Sequence, residues 1–145
     1  MNTVWILVLD RVKARVFKRV GKSKKVEFIH SWDHPEGRMK NGELLSDDYG
    51  VDMNRTIEYA SNPQSGTSMK EVLVQRFCSK VGSYLDNERK RGVFDELVLV
   101  AEPKMLGIMK GVLSQKLAKL VKGSVQKDFC RVENKKIPDV LLANI

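Results

Sequence analysis

The sequence predicts an α/β domain built on a five-stranded mixed sheet, and three observations lead to it. Val4-Trp5-Ile6-Leu7-Val8-Leu9 runs apolar without a break or an alternation. A strand with one wet face alternates, so this run belongs to a central strand covered on both sides. Phe94-Asp95-Glu96-Leu97-Val98-Leu99-Val100-Ala101 is a second buried strand. The full pattern reads strand, strand, strand, helix, strand, helix pair, strand, helix. Three antiparallel strands followed by two helix–strand units is the element order of a ribonuclease H-like fold. That arrangement puts the first strand at the centre, beside Phe94–Ala101, and right-handed crossovers put helices on the sheet faces.

Each element has its own signal. Asp10-Arg11-Val12-Lys13 is a tight connection. Ala14–Val20 largely alternates apolar and basic residues, which predicts a strand with one dry face. Gly21-Lys22-Ser23 makes a turn, and Lys25–Trp32 is a third strand that closes an antiparallel meander. From Asp33 to Thr67 periodicity disappears among Gly, Pro and polar residues, so a long loop is expected over about 33–67. Met69, Leu73, Phe77, Val81 and Leu85 then step by four, the apolar face of a helix from Ser68 to Arg91. Thr67 or Ser68 can cap it, Glu71 stands at capping-box spacing from Ser68, and Gly92 stops it. Glu102-Pro103 opens the next helix, with Met105, Leu106, Met109, Val112 and Leu113 as its apolar residues. Ser114 caps a short helix over Gln115–Val121 that Gly123 ends. Val125–Val132 is the expected fifth strand and Pro138–Ala143 the last helix.

With 145 residues, 42% of them hydrophobic and 30% charged, residues 1–145 form a single domain able to bury a real core. The N-terminal apolar run has the wrong flanks for a secretory signal, and no run reaches the roughly 18 residues of a membrane span. A cytoplasmic location is the expectation. Cys78 and Cys130 have no ligand-like spacing and read as reduced, half-buried thiols.

The net charge of +8 is unevenly spread. Between Lys104 and Lys136, nine basic residues (Lys104, Lys110, Lys116, Lys119, Lys122, Lys127, Arg131, Lys135 and Lys136) face only Asp128 and Glu133, a local balance of +7. From Gly42 to Asn62 the balance is −4. Such asymmetry points to a polyanion-facing side, although a solvated lysine-rich surface gives the same count. Lys116, Lys119 and Lys122 step by three, which places them on one side of the short helix. The expected nucleic-acid contacts are Lys104, Lys110, Lys116, Lys119, Lys122, Lys127 and Arg131.

Catalytic constellations are weak. Asp10, Glu71 and Glu102 are the candidates for a two-metal carboxylate site, but each has a sufficient structural role in a turn or a helix start. His30 and His34 have a metal-like spacing only on a helix, and their segment reads as strand into loop. His34-Pro35-Glu36-Gly37-Arg38 presents His34, Glu36 and Arg38 on a defined turn, as a loop anchor or a contact site. No nucleophile elbow, Walker loop or dinucleotide fingerprint occurs, so no metal, no cofactor and a non-enzymatic role are expected.

Several of these motifs together resemble the bacterial host-attachment protein family. Trp5-Ile6-Leu7-Val8, Asp10-Arg11 and Ala14-Arg15-Val16-Phe17 look like its opening signature. His34-Pro35-Glu36-Gly37-Arg38 and Ser46-Asp47 resemble its loop motifs, and Arg76-Phe77 its pair in the long helix. Leu97–Ala101, Pro103 and Leu106-Gly107 match its second strand and following helix, and Asp128 falls at a usually acidic position. Gly50–Gly66 departs most. The family is in turn similar to the central domain of archaeal and eukaryotic peptide-chain release factors, whose Gly-Gly-Gln loop precedes the long helix. Here Asn62-Pro63-Gln64-Ser65-Gly66 stands in that place, so Gln64 matches in type while both glycines are missing.

Two functional classes follow. One is a module that binds structured RNA or the ribosome. The other is an interaction protein for attachment to host cells or surfaces, with a protein or glycan partner. A metal-dependent nuclease ranks third.

Overall fold

A computed structural model of the chain describes residues 2–34 and 69–144. In chain order the elements are β1 (Thr3–Leu9), β2 (Lys13–Val20), β3 (Glu27–Asp33), α1 (Met69–Lys90), β4 (Glu96–Val100), α2 (Pro103–Val112), α3 (Gln115–Ala118), β5 (Val121–Val125) and α4 (Ile137–Asn144). The strands form one sheet in the order β3-β2-β1-β4-β5. β1 pairs antiparallel with β2 and parallel with β4, so the apolar run of β1 is the centre of the sheet. This is the five-stranded mixed sheet of a ribonuclease H-like α/β fold, in the strand order the sequence predicts.

The alternation of side chains across β1 splits the core in two. Trp5, Leu7 and Leu9 join Leu97 and Leu99 beneath the helices, where they meet Val74, Phe77, Val81 and Leu85 of α1, Met105 and Met109 of α2 and Leu117 of α3. Val4, Ile6 and Val8 point the other way, with Phe17, Val98 and Val100, and are closed over by Phe129, Ile137 and Leu141. Three helices therefore cover one face, and α4 with the segment before it covers the other. Gly92, at φ +71°, ends α1 in a left-handed turn that glycine adopts without strain. Ser114 caps α3 by accepting from Leu117 N at 3.1 Å, and its hydroxyl donates to Asp86 on α1 at 2.9 Å.

Three expectations need correction. The fifth strand is Val121–Val125, ahead of the expected Val125–Val132, and the short helix stops at Ala118. Leu120 O accepts from Leu97 N and Val125 O from Ala101 N, which locks this polar segment beside β4 with Gly123 inside the strand. Farther on, the carbonyls of Phe129 and Val132 are taken by the Arg15 guanidinium, at 2.8 and 2.6 Å. A side chain there occupies acceptors that a strand would offer to a ladder, and Phe129 anchors the segment in the second core. Nor does β2 have a dry face and a wet one. Ala14, Arg15, Val16 and Phe17 are all buried, Arg15 to 1% exposure.

Arg15 holds the second cover in place. Besides the two carbonyls it reaches Asn134 Oδ1 at 3.1 Å, and Asp10 attracts its charge. Burial pushes its pKa down and Asp10 opposes that shift. Desolvating an arginine costs several kcal/mol, and its charged hydrogen bonds return about 1.5–3 kcal/mol each, so the two nearly balance. Removing the side chain should be costly, because it strands the buried carbonyls and Asp10. Arg15→Ala is expected to lower stability by about 3–5 kcal/mol in urea titration. Amide exchange in α4 should quicken before the rest of the chain opens. Unchanged α4 protection would show that the apolar contacts alone hold this cover.

Candidate nucleic-acid interface

The basic residues from Lys104 to Lys136 are exposed without exception. The topology divides them between the two layers. Lys104 and Lys110 lie on α2, Lys116 on α3 and Lys119 at its C-cap, all in the helical layer over the first face. Lys127, Arg131, Lys135 and Lys136 belong to the segment around Phe129 and Ile137 that covers the second face. Lys122 stands on β5 and pairs with Glu96 at 3.5 Å, so it does not share the short helix with Lys116 and Lys119. A lysine there also guards the open edge of the sheet. Lys104 lies 3.9 Å from Glu71. Among the described residues, Lys110, Lys116, Lys119, Lys127 and Arg131 have no carboxylate partner.

The carboxyl ends of the parallel strands β1 and β4 gather a second set of charges, where open α/β sheets commonly bind ligands. Arg11 follows β1 and meets Glu102, which follows β4, at 3.5 Å. Arg11, Lys70, Lys104 and the Glu71 carboxylate surround a cavity of about 150 Å³ floored by Val74, Met105 and Ile108. The sequence reading missed Arg11 and Lys70. Their signal was positional, since Arg11 lies just past the end of β1 and Lys70 in the first turn of α1, and the fold brings both to one rim.

Of the candidate metal carboxylates, Asp10 has the turn role expected of it. Asp10 Oδ1 accepts from Val12 N at 2.8 Å and Lys13 N at 2.9 Å, closing the β1–β2 turn. Glu102 occupies the N-cap position of α2, and Glu71 sits in the first turn of α1. Among the described residues, no group of three His, Cys, Asp or Glu side chains is placed to hold a metal ion.

Of the loop contacts, His34 is described and Glu36, Arg38 and Gln64 lie outside the described residues. His34 is buried, with its ring stacked on Phe77 at 4.6 Å and 13° and its backbone N–H donating to Val12 O at 2.6 Å. It anchors the end of β3 against α1. A shallow groove of about 280 Å³ opens beside it, between Asp33, Arg76 and Lys80. Ser68, the expected cap of α1, is likewise outside the described residues.

Both cysteines are free thiols. Cys78 is fully buried, deeper than the half-burial expected, because its position on α1 faces the sheet. That burial pushes its pKa up to about 11. Cys130 is half-buried, and its pKa is raised by desolvation and then by the nearby Asp10 and Asp128 carboxylates.

The strand order and the two-layer cover define the class as a ribonuclease H-like α/β domain. The chain belongs to the family described as protein required for attachment to host cells, whose model matches residues 5–141. No curated protein matches the sequence. Among solved structures it is similar to an archaeal protein at 12% identity and a TM-score of 0.49, over 90% of this chain and 31% of that one. It is also similar to an archaeal translation termination factor at 12% identity and a TM-score of 0.47, over 88% of this chain and 31% of that one. The chain thus spans about a third of the length of each. No helix among the described residues is long and apolar enough to cross a membrane.

The thiols offer a direct check of the packing. At pH 8 a thiol with a pKa near 11 is almost wholly protonated, so Cys78 should resist a disulfide reagent until the chain unfolds. Native protein should show one slow reactive thiol, Cys130, and denatured protein two. Rapid labelling of Cys78 in the native state would contradict the packing of α1.

Proposed function

We propose that the domain binds the phosphate backbone of structured RNA, with Lys110, Lys116 and Lys119 as the central contacts. Lys104 and Lys122 add cations near them, Lys127 and Arg131 over the second face of the sheet are outlying contacts, and ribosomal RNA is the proposed target. The observation that carries this reading is the set of exposed cations on α2 and α3 that have no carboxylate partner among the described residues. A lysine near a helix C-terminus also complements the helix dipole, but that effect is worth only about 0.3–1 kcal/mol per residue and does not require several on neighbouring helices. Unpaired cations on adjoining elements suit a phosphate backbone, whose neutralisation releases counterions.

The second reading is an interaction protein for attachment, acting on a protein or glycan partner, and the family description favours it. An acidic partner would use the same lysines. A neutral partner would not.

Affinity for a structured RNA should fall with salt at a log–log slope of about −0.7 to −0.9 per phosphate contacted. Replacing Lys110, Lys116 and Lys119 together by Ala should weaken binding to all sequences alike and flatten the slope by roughly 1 per phosphate-contacting lysine lost. The exposed positions leave the fold intact, which a thermal melt verifies. Filter binding across a salt series measures both quantities. If wild type does not bind at low salt, or the triple variant binds as well as wild type, the RNA reading fails and the attachment reading replaces it.

A further inference from the structure

We propose that the groove between α1 and α2 is a binding site for a single phosphorylated nucleotide, its phosphate held by Arg11, Lys70 and Lys104. The site shares Lys104 with the margin of the lysine surface described above and needs none of Lys110, Lys116 and Lys119. Three segments that are distant in sequence supply the cations: the β1–β2 turn, the first turn of α1 and the first turn of α2. The two ion pairs there, at 3.5 and 3.9 Å, are longer than hydrogen bonds. Among the described residues, neither Arg11, Lys70 nor Lys104 donates a hydrogen bond, and Arg11 and Lys104 make only these long pairs with Glu102 and Glu71. α2 adds to this polarity. Glu102 at its N-cap makes no side-chain cap hydrogen bond, and the positive end of the helix dipole faces the same rim.

The cavity does not end at the cations. Glu71, Lys104 and Ile108 also line an open groove of about 360 Å³ that continues along α2 past Gly107, Gly111 and Val112, with Gln75 on the α1 wall. Lys104, Gly107, Ile108 and Gly111 follow the i, i+3, i+4, i+7 spacing, so they form one stripe of the helix. From Lys104 to Gly111 that stripe is about 10 Å long at 1.5 Å per residue. A nucleotide has the matching polarity, an anion at one end and a flat, largely apolar base at the other. Ile108 offers the base an apolar contact and Gln75 a donor and an acceptor for its edge. A Cβ built on Gly107 or Gly111 meets nothing within 4 Å, so the absence of side chains there keeps the groove open and is not demanded by packing.

Binding can be measured by titration calorimetry at low salt with AMP, GMP, CMP and UMP. Inorganic phosphate and the corresponding nucleosides serve as the two halves of the ligand. At least one monophosphate should bind tenfold or more tightly than either half. Lys104→Ala should weaken it at least tenfold, while Lys104→Arg keeps it within about threefold. Gly111→Leu should weaken the nucleotide tenfold and leave inorganic phosphate unchanged, because it fills the groove and not the cation cavity. A Cβ at position 111 meets no described atom within 4 Å and Lys104 is exposed, so both variants should fold. Should no monophosphate bind at millimolar concentration, the site is not a nucleotide site. Equal affinity for phosphate and nucleotide would overturn the base-binding groove. Wild-type affinity in both Lys104→Ala and Gly111→Leu would move any binding elsewhere. RNA binding lost only in the Lys110, Lys116 and Lys119 variant leaves these results independent of the earlier reading.

Discussion

The burial of β1 on both faces is the constraint on which the rest of the structure depends. Val4 to Leu9 are each exposed by 8% or less, so the strand survives only if both sides of the sheet are covered. The two covers are unlike. The helical layer brings a continuous apolar surface from α1, α2 and α3, and each fully buried Leu or Met contributes about 1.5–3 kcal/mol. The second cover has fewer apolar anchors, chiefly Phe129, Ile137 and Leu141, on a segment with little regular structure. Hydrogen bonds from Arg15 fix what packing alone fixes on the other side. A buried arginine adds little net energy, so its effect is to select one position for this segment.

The same sheet order sets the chemistry of the rim. Because β1 and β4 run parallel, the β1–β2 turn and the starts of α1 and α2 arrive together at one end. In a nuclease of this topology, carboxylates would converge there on metal ions. In this chain Asp10 closes a turn with its oxygen, Glu102 faces Arg11, and Glu71 faces Lys104. The cavity wall then carries three cations and the Glu71 carboxylate. The frame of the fold is kept while its carboxylates are tied up in a turn and in ion pairs.

Sequence reasoning found the elements whose signal is local. The unbroken apolar runs of β1 and β4, the four-residue steps of α1, Gly92 as its stop and Ser114 as a cap all appear where expected. It failed where a distant residue decides. Lys122-Gly123-Ser124 has no strand pattern and becomes β5 only because β4 offers a free edge. Phe129 and Val132 look like strand residues, yet their carbonyls belong to Arg15, some 115 positions away. Arg15 itself reads as the wet side of an alternating strand, since nothing local reveals that a later segment will cover it. The candidate site divides along the same line. Single residue roles such as the Asp10 turn were legible, whereas the meeting of Arg11, Lys70 and Lys104 needed the topology.

Charge and shape then carry different parts of recognition. Exposed lysines on α2 and α3 attract any polyanion, and such attraction steers association without choosing a partner. An RNA backbone and an acidic glycan would both be drawn to them, so the two functional readings share one electrostatic surface. Selectivity has to come from a site that tests more than charge. The α1–α2 groove has that property, because it joins a cation cavity to an apolar wall and an amide at a fixed spacing. α2 carries both features, with Lys104 in its first turn and Lys110 in its last. A ligand seated in the groove would therefore lie along the helix that also presents the steering charge, which couples encounter to recognition on one rigid element.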